Sequence, residues 1–177
     1  MSSELLPAVF DVRKAAVRGA SVRGVLKPQD LERFRPLLAG DDGSIAVEMV
    51  FSRDEESRYL VHVAVEADIV VTCQRCLEVM PEHFSCENTL AILWTDEEAA
   101  HLPRHLDPLV VRESVCSVWD LVEDELILAM SPFSYHGSED CKIEIAAFAE
   151  PAPQQGTGED KPNPFNVLEQ LMPSNKH

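Results

Sequence analysis

At 177 residues and 19.7 kDa the chain is long enough for one domain with its own core, and 45% hydrophobic against 26% charged residues is a globular balance, not a disordered one. Met1 to Phe10 carries Glu4 and no basic opening, and no apolar run approaches the ~18 residues of a membrane span, so a cytoplasmic protein with no membrane partner is expected. Five cysteines cannot all pair within one chain, which argues against a disulfide framework and for reduced thiols, buried or metal-bound.

The net charge of −16 is unevenly placed. Residues 1–40 hold seven basic side chains against four acidic ones, a net of +3, which leaves −19 for residues 41–177. So acidic a body repels phosphate backbones, so any direct RNA contact is expected to be weak or confined to the amino-terminal face, with Arg13, Lys14, Arg18 and Arg23 as its candidates; otherwise these residues make a solvated basic face.

In chain order, Val9–Val12 is an apolar piece suited to an edge strand, and Ala20–Leu26 reads as another. A helix is expected from Lys27-Pro28 onward, because proline suits a first turn, Asp30 and Glu32 suit the positive end of the dipole, and Leu31, Phe34 and Leu38 recur at helical spacing. From Ile45 the period becomes two. Ile45, Val47, Met49 and Phe51, then Tyr59, Val61, Val63 and Val65 after an Arg53–Ser57 turn, predict an antiparallel hairpin with one wet face. Strand character runs on through Ile69 to Thr72, and after Pro81 a third long strand places Phe84, Cys86, Leu90, Ile92 and Trp94 on alternate positions.

Thr95–Ala100 is an acidic turn and Asp107–Val111 a short apolar piece. Trp119–Met130 predicts the second main helix, with Leu121, Val122, Leu126 and Ala129 facing the core and Asp120, Glu123, Asp124 and Glu125 in its first turns. Those carboxylates are expected to form a solvated, dipole-matched helix start. The alternative is a magnesium-binding nuclease centre, yet consecutive helix positions point about 100° apart and cannot all face one metal. Residues 147–162, rich in Ala, Pro, Gln, Gly and acid, read as a flexible linker. Beyond it, Asn163 suits a cap, Pro164 a first helical position, and Phe165, Leu168, Leu171 and Met172 one apolar face. A helix that short needs something to dock on, its own domain or a partner.

The chemistry-bearing motif is Cys73-Gln-Arg-Cys76, placed at a strand-to-strand turn, with His136 and Cys141 as its distant complement after Pro132. Two thiols separated by two residues converge on one point from a tight turn, and a second pair opposite them completes a four-ligand zinc sphere. The 59 residues between the halves lie far outside compact zinc-finger spacings, so the site depends on a fold that joins them. A redox pair is the competing use of C-x2-C, but such pairs sit at a helix amino terminus in a βαβ setting, which this pattern lacks. Cys86 and Cys116 read as small buried hydrophobes.

Together these pieces resemble the YceD family of large ribosomal RNA subunit accumulation proteins. The matching stretches are Thr72-Cys73-Gln-Arg-Cys76-Leu-Glu, the helix Leu121–Ala129 running on to His136 and Cys141, and Lys161-Pro-Asn-Pro-Phe165 before Leu168 and Leu171, spanning about residues 70–172. The family pattern marks Cys73, Cys76, His136 and Cys141, the acidic helix Glu123–Glu125, and Asn163, Pro164 and Phe165. One departure is that Ser131–Tyr135 has only Pro132 where the family pattern has two prolines. The resemblance implies a role in synthesis, processing or stability of large-subunit ribosomal RNA.

The expected protein is therefore an α+β fold: an antiparallel sheet with two main helices on one face, the cysteine turn at one end, and a tail bearing a short helix. Its parts are a domain over 1–146, a linker over 147–162 and a docking segment over 163–177, in which Asn163, Pro164, Phe165, Leu168 and Leu171 would bind a partner. No catalytic residue and no small-molecule substrate are expected. One structural zinc and a large-subunit precursor, through its RNA or a ribosomal protein, are the expected cofactor and partner. A zinc-stabilised module with an unrelated partner, or an RNA-processing nuclease, would be the alternatives.

Overall fold

The computed structural model describes residues 6–111, 115–137 and 139–141. Contacts divide the chain into two units, Met1–Lys142 and Ile143–His177, and the described residues all belong to the first. The linker over 147–162 and the docking segment with Asn163, Pro164, Phe165, Leu168 and Leu171 lie outside them.

The α+β class holds. Five strands form one sheet in the order β2 (Ser21–Leu26), β3 (Ser44–Arg53), β4 (Tyr59–Thr72), β5 (Val79–Leu93) and β6 (Asp107–Val110). The first four pair antiparallel and β6 joins β5 in parallel. The short strands β1 (Val9–Asp11) and β7 (Val115–Ser117) pair separately. Three helices complete the described part: α1 (Val12–Arg18), α2 (Asp96–Ala99) and α3 (Val118–Ala129).

Register explains the period-two pattern. Ile45, Val47, Met49 and Phe51 stand opposite Ala67, Val65, Val63 and Val61, and all eight are buried on one face of the sheet. α1 and α3 cover that face, and Phe10 stacks on Phe51 with ring centroids 5.3 Å apart. The other face is wet except at one end, where the β5–β6 crossover buries Leu106 against Ala91 and Leu93, with Leu60 and Leu102 partly buried beside them. Pro81, which has no N–H to give, lies where β5 pairs with β4 alone, since β6 meets β5 only from Leu90 onward.

Two expectations about helices fail. Over residues 27–38 the chain makes two single 3-10 turns, Pro28–Asp30 and Arg35–Leu37, not one α-helix. Pro36 bars one continuous α-helix, because it has no N–H to give the Glu32 carbonyl and its ring would clash there; it stands instead in the first turn of the second piece, and the chain is already extended at Leu31. Leu31 and Phe34 are still fully buried, so the apolar spacing served a coil that packs. Conversely, Val12 opens a helix where it was expected to end a strand. Asp11 caps α1 by accepting from the Lys14 N–H at 2.9 Å, and Gly19, at φ +60°, closes it with N–H contacts to Ala15 and Ala16 carbonyls.

Candidate metal centre

β4 and β5 are joined by the turn carrying the C-x2-C pair. Cys73 N–H donates to the Glu78 carbonyl at 2.9 Å, and Leu77 N–H returns to the Cys73 carbonyl at 2.8 Å, so the turn folds back within six residues. The reversal places Leu77 at φ +61°, a left-handed conformation that costs a branched side chain ~1–2 kcal/mol and that glycine adopts freely. The second half comes from the segment after α3. Gln74 fastens the two together: its N–H donates to the Ser134 carbonyl at 3.0 Å and its side-chain amide to the Pro132 carbonyl at 3.4 Å. Ser134, buried, donates its hydroxyl to Glu82 on β5.

These ties bring Cys73, Cys76, His136 and Cys141 together, with their ligand atoms all within 4.8 Å of one another. The fold thus joins the four residues that the sequence separates. His136 Nδ1 lies 3.2 Å from Cys76 Sγ, and the His136 N–H points at Cys73 Sγ at 3.5 Å. Cys73 and Cys141 are buried, while Cys76 and His136 are partly exposed.

Burial works against ionisation of Cys73, yet the N–H groups of Cys76, His136 and Arg75 directed at its sulfur bring its pKa down to about 5. Cys76 goes the other way. The Glu78 N–H favours its thiolate, but burial and the nearby sulfurs of Cys73 and Cys141 outweigh that and raise its pKa. Three thiols crowded this closely cannot all ionise unless a cation sits among them. A tetrahedral zinc with sulfur ligands at ~2.3 Å would set them about 3.8 Å apart, a contraction of roughly 1 Å at most from the observed spread. The donor set and its spacing therefore fit zinc. Cys86 and Cys116 stand apart from the group and pack against the core, only partly buried where full burial was expected; burial raises the pKa of both.

Residues 61–172 match the family described as large ribosomal RNA subunit accumulation protein YceD, a span that takes in all four ligand candidates. The chain belongs to the YceD family. A member from Haemophilus influenzae, a large ribosomal RNA subunit accumulation protein YceD, is 29% identical over 178 residues, covering 97% of this chain and 98% of its own. No solved structure matches.

The acidic helix of this YceD-family chain departs from the expected solvated face. Glu123 is 4% exposed, and its carboxylate accepts from the backbone N–H groups of Arg33 at 2.6 Å and Phe34 at 3.3 Å and from Arg33 Nε at 2.9 Å. Glu125, also buried, turns to Asn88 on β5. Asp124 stays exposed and pairs with Arg33. Spacing alone gave no sign that Arg33, 90 residues earlier, would claim Glu123. Of the basic residues, Lys14 pairs with Asp11 and Arg23 with Glu48, Arg13 lies over the Trp94 ring, and Arg18 has no ion-pair partner among the described residues.

Proposed function

We propose that the chain is a noncatalytic factor for large-subunit ribosomal RNA, acting in its synthesis, processing or stability, with the Cys73/Cys76/His136/Cys141 group as a structural zinc knuckle. The observation that carries this is the family match, which spans the four ligand candidates, taken with their convergence to within 4.8 Å. Bound zinc would clamp the β4–β5 turn to the segment after α3, and such closed four-ligand sites supply folding energy rather than chemistry. The noncatalytic reading draws support from the acidic helix. Of the nuclease candidates Glu123, Asp124 and Glu125, the first and last are buried and committed to Arg33 and Asn88 on separate elements, and the exposed Asp124 pairs with Arg33. A large-subunit precursor in the cytoplasm is the partner this role calls for, and none of the described helices is long and apolar enough to cross a membrane.

The test is a deletion strain complemented with wild type or with Cys73→Ser/Cys76→Ser. Large-subunit RNA should fall relative to small-subunit RNA on deletion, recover with wild type and recover poorly with the double variant. Unchanged RNA levels in the deletion strain would remove the proposal. Purified protein should carry about one zinc per chain, and the double variant none.

A further inference from the structure

The end of the molecule that holds the knuckle exposes large side chains that the knuckle itself does not use. Leu77 is 76% exposed and Phe133 61%, with Val79 and Tyr135 also open to solvent. Leu77 follows Cys76 and Tyr135 precedes His136, two residues whose ligand atoms lie 3.2 Å apart, so both flank the same centre. Arg75 sits over the Tyr135 ring at 5.0 Å and links the turn to the loop.

Leu77 is disfavoured twice. Its backbone is held left-handed, where glycine would fit without strain, and its side chain gains no burial in return. A residue unfavourable to the free chain on both counts is accounted for if it is buried in a complex. Aromatic residues and arginine are the types that anchor protein interfaces. The surrounding charge selects the partner, since the exposed carboxylates of Glu139 and Asp140, in the turn that ends at Cys141, outnumber the single charge of Arg75 on a chain of net −16. Acidic surroundings repel a phosphate backbone and attract lysine and arginine.

We infer that the knuckle end is a docking surface for a basic protein, with Leu77 as its apolar anchor, Tyr135 and Phe133 beside it, and Glu139 and Asp140 as the acidic rim. This rests on the reading above in taking the partner from among the proteins of the large ribosomal subunit, and it differs from the amino-terminal face and the terminal segment expected from sequence.

The test uses the immobilised full-length, zinc-loaded chain and two probes: purified large-subunit ribosomal proteins freed of RNA, and protein-free large-subunit ribosomal RNA. Wild type should retain one or a few basic proteins and little RNA. Leu77→Gly should melt at the same or a higher temperature, keep its zinc and lose at least tenfold in affinity; Tyr135→Ala should lose a similar factor. Retention of the RNA in place of protein, binding of Leu77→Gly as tight as wild type, or no retention of any protein would each overturn the inference. Failure here is separable from failure of the ribosomal RNA role. A deletion strain that loses large-subunit RNA but is fully restored by Leu77→Gly would overturn the docking surface and leave the role standing.

Discussion

Glu125 carries a carboxylate into the space between α3 and β5, where a single side-chain amide, Asn88 Nδ2, serves both it and Asp107. Burial pushes its pKa up from the ordinary carboxylate value of 4.5; the Asn88 hydrogen bond opposes this, and the nearby charges of Asp107 and Asp124 add to the rise. The folded state therefore binds this proton more tightly than the unfolded chain does. The favourable contribution is complete below the unfolded value and is lost as pH rises through the folded one. At neutral pH a charged Glu125 is thus a small liability. Glu125→Gln keeps an acceptor for Asn88 and removes the charge, so the variant should be the more stable form at pH 7. Its advantage should shrink as pH falls through the raised folded value and be gone below the unfolded value of 4.5. Urea midpoints of both proteins at about pH 4 and pH 7 check this, and an advantage that grows toward acid would contradict the sign.

At the level of elements, Glu123 does what an α-helical segment over 27–38 would have done, holding Leu31 and Phe34 against α3 although their backbone is mostly coil. Glu123→Ala leaves the Arg33 and Phe34 N–H groups without their acceptor, and should cost about 2–4 kcal/mol in denaturant unfolding. A loss under ~0.5 kcal/mol would mean that water replaces the carboxylate. Gly43, entering β3 at φ +140°, packs on β4 so closely that a Cβ would stand 2.2 Å from the Asp68 carbonyl oxygen; Gly43→Ala should cost at least ~2 kcal/mol. The sheet was legible because alternation over β3, β4 and β5 is a local signal repeated through more than ten residues. The segment Pro28–Leu37 imitates a helix because Leu31, Phe34 and Leu38 keep helical spacing, although Pro36 bars a continuous one. Asp11 and Gly19 bracket α1, but a helix of seven residues offers too little period to outweigh the apolar run before it. The four ligand candidates were legible as residue types, with their joining left to the fold. Leu77's strain was not, because backbone sign is set by the turn and leucine gives no hint of it.

For the whole molecule, zinc bound at the knuckle would cross-link the turn after β4 to the loop after α3 and close a loop of about 60 residues that contains β5, β6, β7 and α3. The sheet itself should not depend on that link. Its buried face, from Ile45 and Val47 to Val61 and Val63, is sealed by α1, α3 and the Leu31–Phe34 segment, none of which supplies a candidate ligand. Zinc removal should therefore loosen one end without dissolving the fold. Cross-linking a loop of this length restricts the unfolded chain by about 4 kcal/mol in the chain-entropy picture, which for a body of this size corresponds to roughly 10 °C in melting temperature. Treatment with a strong chelator should lower the melting temperature by about that much while the far-ultraviolet sheet signal survives at 25 °C. Re-addition of zinc should restore it. Cys73→Ser should melt at the lowered temperature with or without chelator. A chelator shift equal in Cys73→Ser and wild type would place the metal elsewhere in the chain. No shift in either would leave the four residues as a cluster of close-packed thiols without a structural ion.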